Sequence, residues 1–294
     1  MGSAGDDGAL GGGTSGGAAR VVVVSDTHLS PRAPEAVANW AAVVDHVAAT
    51  APDLVVHAGD VTAQGDERPD ELTFAADHLG RLAAPLALVP GNHDVGDPPS
   101  AVGGHGVLVD ADRLARFRST FGTDRFVVDV GRWRVVGLDA QVLGSGLAAE
   151  DDQWQWLEAE LAAAAGPSPH VAVVLHKPLA TGPGDGRHPR RYVPPAAVPR
   201  LAALLDAAGA AVVVSGHVHQ WLRHAPDGVL HVWAPTSWAV LPDSWQPPVG
   251  HKVTGVVELV LHDDGRVDAD LVRPVGLGHH MAGSGIGDPY AADG

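Results

Sequence analysis

The chain has 294 residues, 45% of them hydrophobic, and a formal charge of −16 from 19 basic and 35 acidic side chains, so it can bury a large core but offers no broad basic surface to nucleic acid or an anionic membrane. It contains no cysteine, which excludes disulfides, thiolate metal sites and a cysteine nucleophile and leaves nitrogen and oxygen as the only ligands for a metal. No run reaches the roughly 20 apolar residues of a membrane span, and the N-terminus lacks the basic start and apolar stretch of a secretion signal; the expectation is a cytoplasmic protein.

Residues 1–19 are rich in Gly, Ser and Ala and read as a flexible tail. From Arg20 the texture changes to "VVVVSDTHLS", a β-branched run of the kind that forms a strand buried on both faces. "PEAVANWAAVVDHVAAT", Pro34 to Thr50, repeats its apolar residues at helical spacing behind a Pro-Glu start and leads into "DLVVHAGD", which makes a β-α-β unit. A helix around Asp70 to Leu82 then precedes a third strand, "PLALVPGNHD". Further on, "RFVVDVGRWRVVGLDA" reads as two strands joined at Gly131-Arg132, and Ala149 to Ala165 as a helix with acids in its first turn. "HVAVVLHKP", a helix over Ala196 to Ala208 and "AAVVVSGHVHQW" follow. "GVLHVWAP", "TGVVELVL" and "GRVDADLVR" read as antiparallel strands, and 276–294 as a loose tail. β-α-β units followed by hairpins predict one domain over 20–275, with two sheets packed face to face and helices outside.

Polar clusters sit where the apolar runs end: Asp26 and His28, Asp60, Asn92 and His93, His176, then His217 and His219. Loops at the carboxyl ends of parallel strands converge on one crevice, so these residues are expected in a single site. Imidazole suits Zn, Fe or Mn, and carboxylate and amide oxygens suit the harder ions. An aspartate ending a strand, as Asp60 does, can bridge two ions with its two oxygens, and such a pair can activate a hydroxide for in-line attack on phosphorus. The chemistry this predicts is phosphoester hydrolysis. The negative net charge does not oppose it, because bound cations reverse the field locally.

The motifs Asp26-x-His28, Gly59-Asp60, Gly91-Asn92-His93-Asp94, His176 and Gly216-His217-x-His219 together resemble the calcineurin-like metallophosphoesterase family, in the family's order. The resemblance implies a four-layer α/β/β/α sandwich of two mixed sheets and a dinuclear metal centre. One metal would take Asp26, His28, Asp60 and His219, and the other Asp60, Asn92, His176 and His217. His93 would face substrate as a general acid, with Asp94 or another carboxylate holding its tautomer. "SDTHL", "GNHD" and "GHVH" are most similar to the bacterial branch that includes class III cyclic-nucleotide phosphodiesterases. "GDVTAQG" departs from the GDxxDRG of protein serine/threonine phosphatases, and no tyrosine follows Asp60 as in purple acid phosphatases. His176-Lys177-Pro178 stands where the branch often has His-His-Pro, so a second histidine is missing.

Blander roles compete at several positions. An isolated Asp-x-His is a turn or cap, and only the other motifs argue against that here. His57, inside a strand, is expected to pack, and His279-His280 to lie in a solvated tail. Trp238 and Trp245 either stack on a flat leaving group or pack their loop, and Arg187, Arg190 and Arg191 either steer an anion or form a solvated basic loop. The leading function is hydrolysis of a small soluble phosphodiester, with 3',5'-cyclic nucleotides as the candidate by resemblance. A phosphomonoesterase or broad-specificity phosphoesterase on the same centre, and a scaffold that has lost catalysis, are the alternatives. The expected partner is a small phosphoester, with no stable nucleic-acid or membrane binding, in a monomer or homodimer.

Overall fold

Alternation along the first strand sets the layers: Val21 and Val23 face one apolar cluster and Val22 and Val24 another, and all four are buried. In an extended chain successive side chains point to opposite faces, so a strand apolar at both parities must be covered on both. The computed structural model describes residues 17–101, 106–163, 170–186, 188 and 190–283. Its strands are β1 (Ala19–Val24), β2 (Leu54–His57), β3 (Leu86–Leu88), β4 (Phe126–Val130), β5 (Trp133–Leu138), β6 (His170–Leu175), β7 (Ala210–Ser215), β8 (Leu222–His224), β9 (Leu230–Trp233), β10 (Ala239–Val240), β11 (Val256–Leu261), β12 (Val267–Val272) and β13 (His280–Met281). The helices are α1 (Pro34–Thr50), α2 (Pro69–Leu79), α3 (Asn92–Val95), α4 (Ala111–Phe121), α5 (Ala148–Ala163) and α6 (Val198–Ala207).

One sheet has the order β12-β11-β1-β2-β3 and the other β4-β5-β6-β7-β9-β8. β1, β2 and β3 run parallel, as do β5, β6, β7 and β9. Between the sheets lies a cluster that joins Val21, Val23 and Val56 to Val135, Val174 and Val214. The outer face of the first sheet packs on α1, α2 and α4 through Trp40, Leu72 and Phe117, and that of the second on α5 and α6 through Leu157 and Leu201. This is the expected α/β/β/α sandwich. No helix among the described residues is long and apolar enough to cross a membrane.

The structure differs from the sequence expectations in several places. β9 runs parallel to β7, because the chain reverses through β8 before β9 inserts between the two. The expected C-terminal tail is packed as far as residue 283: Leu277 is buried against the α1 side of the first sheet, Gly278 N donates to Asn39 Oδ1 at 2.8 Å, and β13 pairs with β10. The N-terminal boundary moves by one residue, since Ala19 already pairs with Leu261. Helix α4 is additional to the expected elements: Asp110 caps it by accepting from Arg113 N at 2.8 Å, and Leu114 and Phe117 bury its inner face. Residues 1–16 and 284–294 lie outside the described residues.

Candidate metal centre

Every predicted ligand lies just past the carboxyl end of a parallel strand: Asp26 and His28 after β1, Asp60 after β2, Asn92 after β3, His176 after β6, and His217 and His219 after β7. Six non-glycine residues among those described have positive φ, and five of them are ligand candidates: Asp26 (52°), His28 (46°), Asp60 (52°), His217 (68°) and His219 (53°). L-residues enter this region at a cost, and such conformations concentrate where the surrounding structure imposes them at functional sites. The glycine before a ligand makes room for it. A methyl on Gly216 would lie 1.8 Å from Ser25 Oγ and 2.8 Å from Asp26 Oδ2, so "GH" after β7 brings the backbone against β1 as no other residue could.

Two donor clusters result. Asp26, His28, Asp60 and His219 place one ligand atom each within 4.8 Å of one another, and so do Asp60, His176 and His217; Asp60 belongs to both. Its Oδ2 lies 3.3 Å from His176 Nε2 and 3.7 Å from His28 Nε2, while Oδ1 accepts from His93 N at 2.9 Å. His219 Nε2 is 3.3 Å from Asp26 Oδ1. Asn92, after β3, is buried, and its Oδ1 has no hydrogen-bond partner among the described residues. A buried amide oxygen left unpaired is costly, and a cation would satisfy it.

Backbone carbonyls fix which ring nitrogen of His176, His217 and His219 faces inward. His176 Nδ1 donates to Ala58 O (2.8 Å), His219 Nδ1 to Ala239 O (2.6 Å) and His217 Nε2 to Arg190 O (2.7 Å). A carbonyl can only accept, so the hydrogen of each neutral ring lies on the outer nitrogen and the lone pair on the inner one, the arrangement that orients histidine ligands in metal sites. His176 Nε2 and His217 Nδ1 then face each other at 3.2 Å. Two lone pairs at that separation repel unless a proton or a metal lies between them. The residues present therefore fit a pair of metal ions on N and O ligands.

Charge follows the same geometry. Burial pushes His28 well below the usual imidazole range, and burial with the neighbouring Lys177 does the same to His217, so both are neutral at pH 7. Burial also acts to lower His176, but the charges of Asp60 and Asp26 outweigh it and lift it to about 9. Burial opposes the ionisation of Asp60, but His176 and His93 hold its carboxyl well below the usual carboxylate range.

Several other expectations need correction. Asp94 does not orient His93. Its oxygens accept from Val61 N, Thr62 N, Thr62 Oγ1 and Gly91 N at 2.7 to 3.1 Å, which staples the loop after β3 to the loop after β2. The acceptor for His93 Nδ1 is the Ala63 carbonyl, at 2.8 Å. Trp238 is buried with its ring 4.9 Å from that of His28, so it forms a wall of the centre and offers no face to a nucleobase; Trp245 is 57% exposed. Arg191 is engaged by Asp185 at 2.9 Å, and Arg190 contributes its carbonyl; Arg187 lies outside the described residues. His57 is more than packing: it accepts from Gly59 N at Nδ1 (3.2 Å) and contacts Thr27 Oγ1 through Nε2 (3.0 Å), and burial holds it down to about 4, as a neutral strut beneath Asp26 and Asp60. His280 lies in β13, not in a solvated tail.

The sequence model of the calcineurin-like phosphoesterase family matches residues 19–221. The chain is 31% identical over 245 residues to the 3',5'-cyclic adenosine monophosphate phosphodiesterase CpdA of Pseudomonas aeruginosa, covering 79% of each chain. It is 32% identical over 136 residues to the glycerophosphodiester phosphodiesterase GpdQ of Enterobacter lignolyticus, covering 45% of this chain and 44% of that one. Among solved structures, the purple acid phosphatase PPD1 of yellow lupin superposes with a TM-score of 0.60 at 14% identity, over 91% of this chain and 54% of that one. The chain thus spans about half the length of the lupin enzyme, and at that identity the likeness is one of fold.

Proposed function

The chain belongs to the calcineurin-like phosphoesterase family, and on that premise we propose that it hydrolyses a small soluble phosphodiester, a 3',5'-cyclic nucleotide first among the candidates, at a dinuclear metal centre. The observation that carries this reading is Asp60, whose carboxylate is common to two clusters of donors, the first buried and the second buried but for a partly exposed His217. Asp26, His28, Asp60 and His219 would hold one ion, and Asp60, Asn92, His176 and His217 the other. Manganese, iron and zinc all suit these ligands. When bound, such a pair supplies Lewis-acid polarisation of the phosphoryl oxygens and an activated water for in-line attack. The similarity to CpdA over 79% of both chains supports the diester and the cyclic nucleotide.

The protein's own part in the reaction falls to His93. Its backbone N–H is tied to Asp60 Oδ1 and its Nδ1 to Ala63 O, so the ring is anchored at the rim of the shared carboxylate beside His28, 4.9 Å away centroid to centroid. Nε2, the nitrogen turned away from Ala63, is the atom that hands a proton to the departing alkoxide. Trp238 also packs against His28, at 4.9 Å between ring centroids, and keeps water off that side chain.

The test is hydrolysis of bis(p-nitrophenyl) phosphate, p-nitrophenyl phosphate and cyclic AMP by protein of measured metal content. Turnover of the diesters well above the monoester supports the proposal. Activity on the monoester alone would replace it with a phosphomonoesterase, and no turnover by fully loaded protein would make the chain a scaffold.

A further inference from the structure

A buried ion pair beside the second donor cluster has no part in the chemistry described above. Lys177 follows His176 directly, where the family resemblance leads one to expect a second histidine, and its side chain is 0% exposed. Its Nζ donates to Asp97 Oδ1 at 2.6 Å and to the Arg190 carbonyl at 3.1 Å. That carbonyl is also the acceptor for His217 Nε2, at 2.7 Å. One oxygen therefore receives both the ammonium and the outer nitrogen of a candidate ligand.

Asp97, at the other end of the pair, directly follows Gly96, which closes the turn that carries Asn92. Gly96 N donates to Asn92 O at 2.9 Å, and Asp97 exchanges backbone hydrogen bonds with Val107 and Val109 at 2.8 and 2.9 Å. Arg190 lies between β6 and α6, where the described residues form neither helix nor strand, and Lys177 Nζ tethers its carbonyl from the end of β6. A buried ammonium keeps its charge only where such partners surround it. The Lys177 ammonium thus ties together the segments bearing Asn92 and His176 and the oxygen that orients His217, the three residues that, beside Asp60, would hold the second ion in the proposed centre. The first cluster has supports elsewhere: His219 Nδ1 rests on Ala239 O, and Thr236 Oγ1 donates to Asp26 O.

We propose that Lys177, paired with Asp97, is a positioning residue for the second metal ion alone: it fixes the tautomer and reach of His217 through the Arg190 carbonyl and holds Asn92 in place through Asp97. The proposal rests on the dinuclear reading of the centre. Outer partners of metal ligands set affinity by about 10- to 100-fold, and here that leverage falls on one ion of the two.

The experiment is titration of full-length apoprotein with Mn²⁺, followed by equilibrium dialysis and electron paramagnetic resonance, on wild type, Lys177→Met, Lys177→Arg and the paired Lys177→Met/Asp97→Leu. Wild type should bind two equivalents with a spin-coupled spectrum; if it binds only one, the dinuclear reading fails before any variant is compared. Lys177→Met and the paired variant should bind the first equivalent as wild type does and the second about 10- to 100-fold more weakly, with isolated Mn²⁺ replacing the coupled spectrum at stoichiometric metal. Lys177→Arg, which keeps charge and donors, should recover part of the second affinity. The paired variant leaves no unpaired buried charge, so it separates positioning from stability should Lys177→Met alone fail to fold. Equal weakening of both equivalents, an unchanged second equivalent, or failure of both Met-bearing variants to fold overturns the proposal.

Discussion

Gly91 offers a perturbation whose size can be read from the structure. Its backbone, at φ −107° and ψ −175°, is open to any residue, so Gly91→Ala introduces no backbone strain and tests space alone. The added methyl would lie 2.1 Å from Asp60 Oδ1 and 2.2 Å from Asp60 N, where contacts of real Cβ atoms essentially never fall below 3.0 Å. The shared carboxylate must therefore move by about 1 Å, a displacement that can cost 10²-fold in turnover when it misaligns reacting groups. Overpacking of this kind costs about 1 to 3 kcal/mol of stability, so a stable protein stays folded. The assay is turnover of bis(p-nitrophenyl) phosphate with metal content and thermal unfolding measured on the same sample. The account expects at least about a 10²-fold loss of kcat/KM with both metal affinities lowered, because Asp60 serves both clusters. Gly80→Ala is the control: its methyl would meet nothing closer than Ala76 O at 3.4 Å, and it should leave activity unchanged. Wild-type turnover with two bound ions in Gly91→Ala would refute the steric argument and the role given to Asp60.

Other predictions follow from the same geometry. His93→Ala should retain both metals and lower kcat by about 10² to 10⁴ for alkoxide leaving groups, and by much less for nitrophenolate; loss of a metal would make His93 a ligand. His176 in the apoprotein holds its proton up to about pH 9 because Asp60 lies beside it, and a metal must displace that proton. Calorimetry in buffers of different ionisation enthalpy should therefore show proton release on metal uptake at pH 7, with affinity falling by up to about 10-fold per unit as pH drops below 9 and flattening above it; uptake without proton release would contradict this. Trp238→Ala should cost about 3 to 5 kcal/mol in thermal unfolding whatever the substrate, whereas the exposed Trp245 should change stability by less than about 0.5 kcal/mol when truncated.

The features legible in the sequence were those encoded locally. Continuous apolar runs ending in Asp, Asn or His, β-branched in β1, β2, β6 and β7 and Leu-Ala-Leu in β3, placed these strands and put the ligand candidates at their ends, because a strand buried on both faces has few other compositions. α4 is encoded equally locally, with an Asp110 cap, Leu114 and Phe117 one turn apart, and Gly122 after its end. Other features could not be read in advance. The acceptors that set the histidine tautomers are the carbonyls of Ala58, Ala63, Arg190 and Ala239, and any residue supplies a carbonyl. Asp94 resembles a catalytic carboxylate by its place beside His93, but only the fold shows its oxygens already taken by Val61, Thr62 and Gly91. The Lys177–Asp97 pair joins residues 80 apart in the chain, and the packing of Leu277 on α1 and the β10–β13 pairing are likewise settled by contacts between distant segments.

The central claim, one carboxylate holding two ions at one catalytic centre, is tested most directly by counting the metal bound to wild type, His28→Ala and Asp60→Ala after identical reconstitution with Mn²⁺. The account predicts two equivalents in wild type, loss of mainly one in His28→Ala, and loss of both with collapse of diester hydrolysis in Asp60→Ala. Two full equivalents and normal turnover in Asp60→Ala would contradict it.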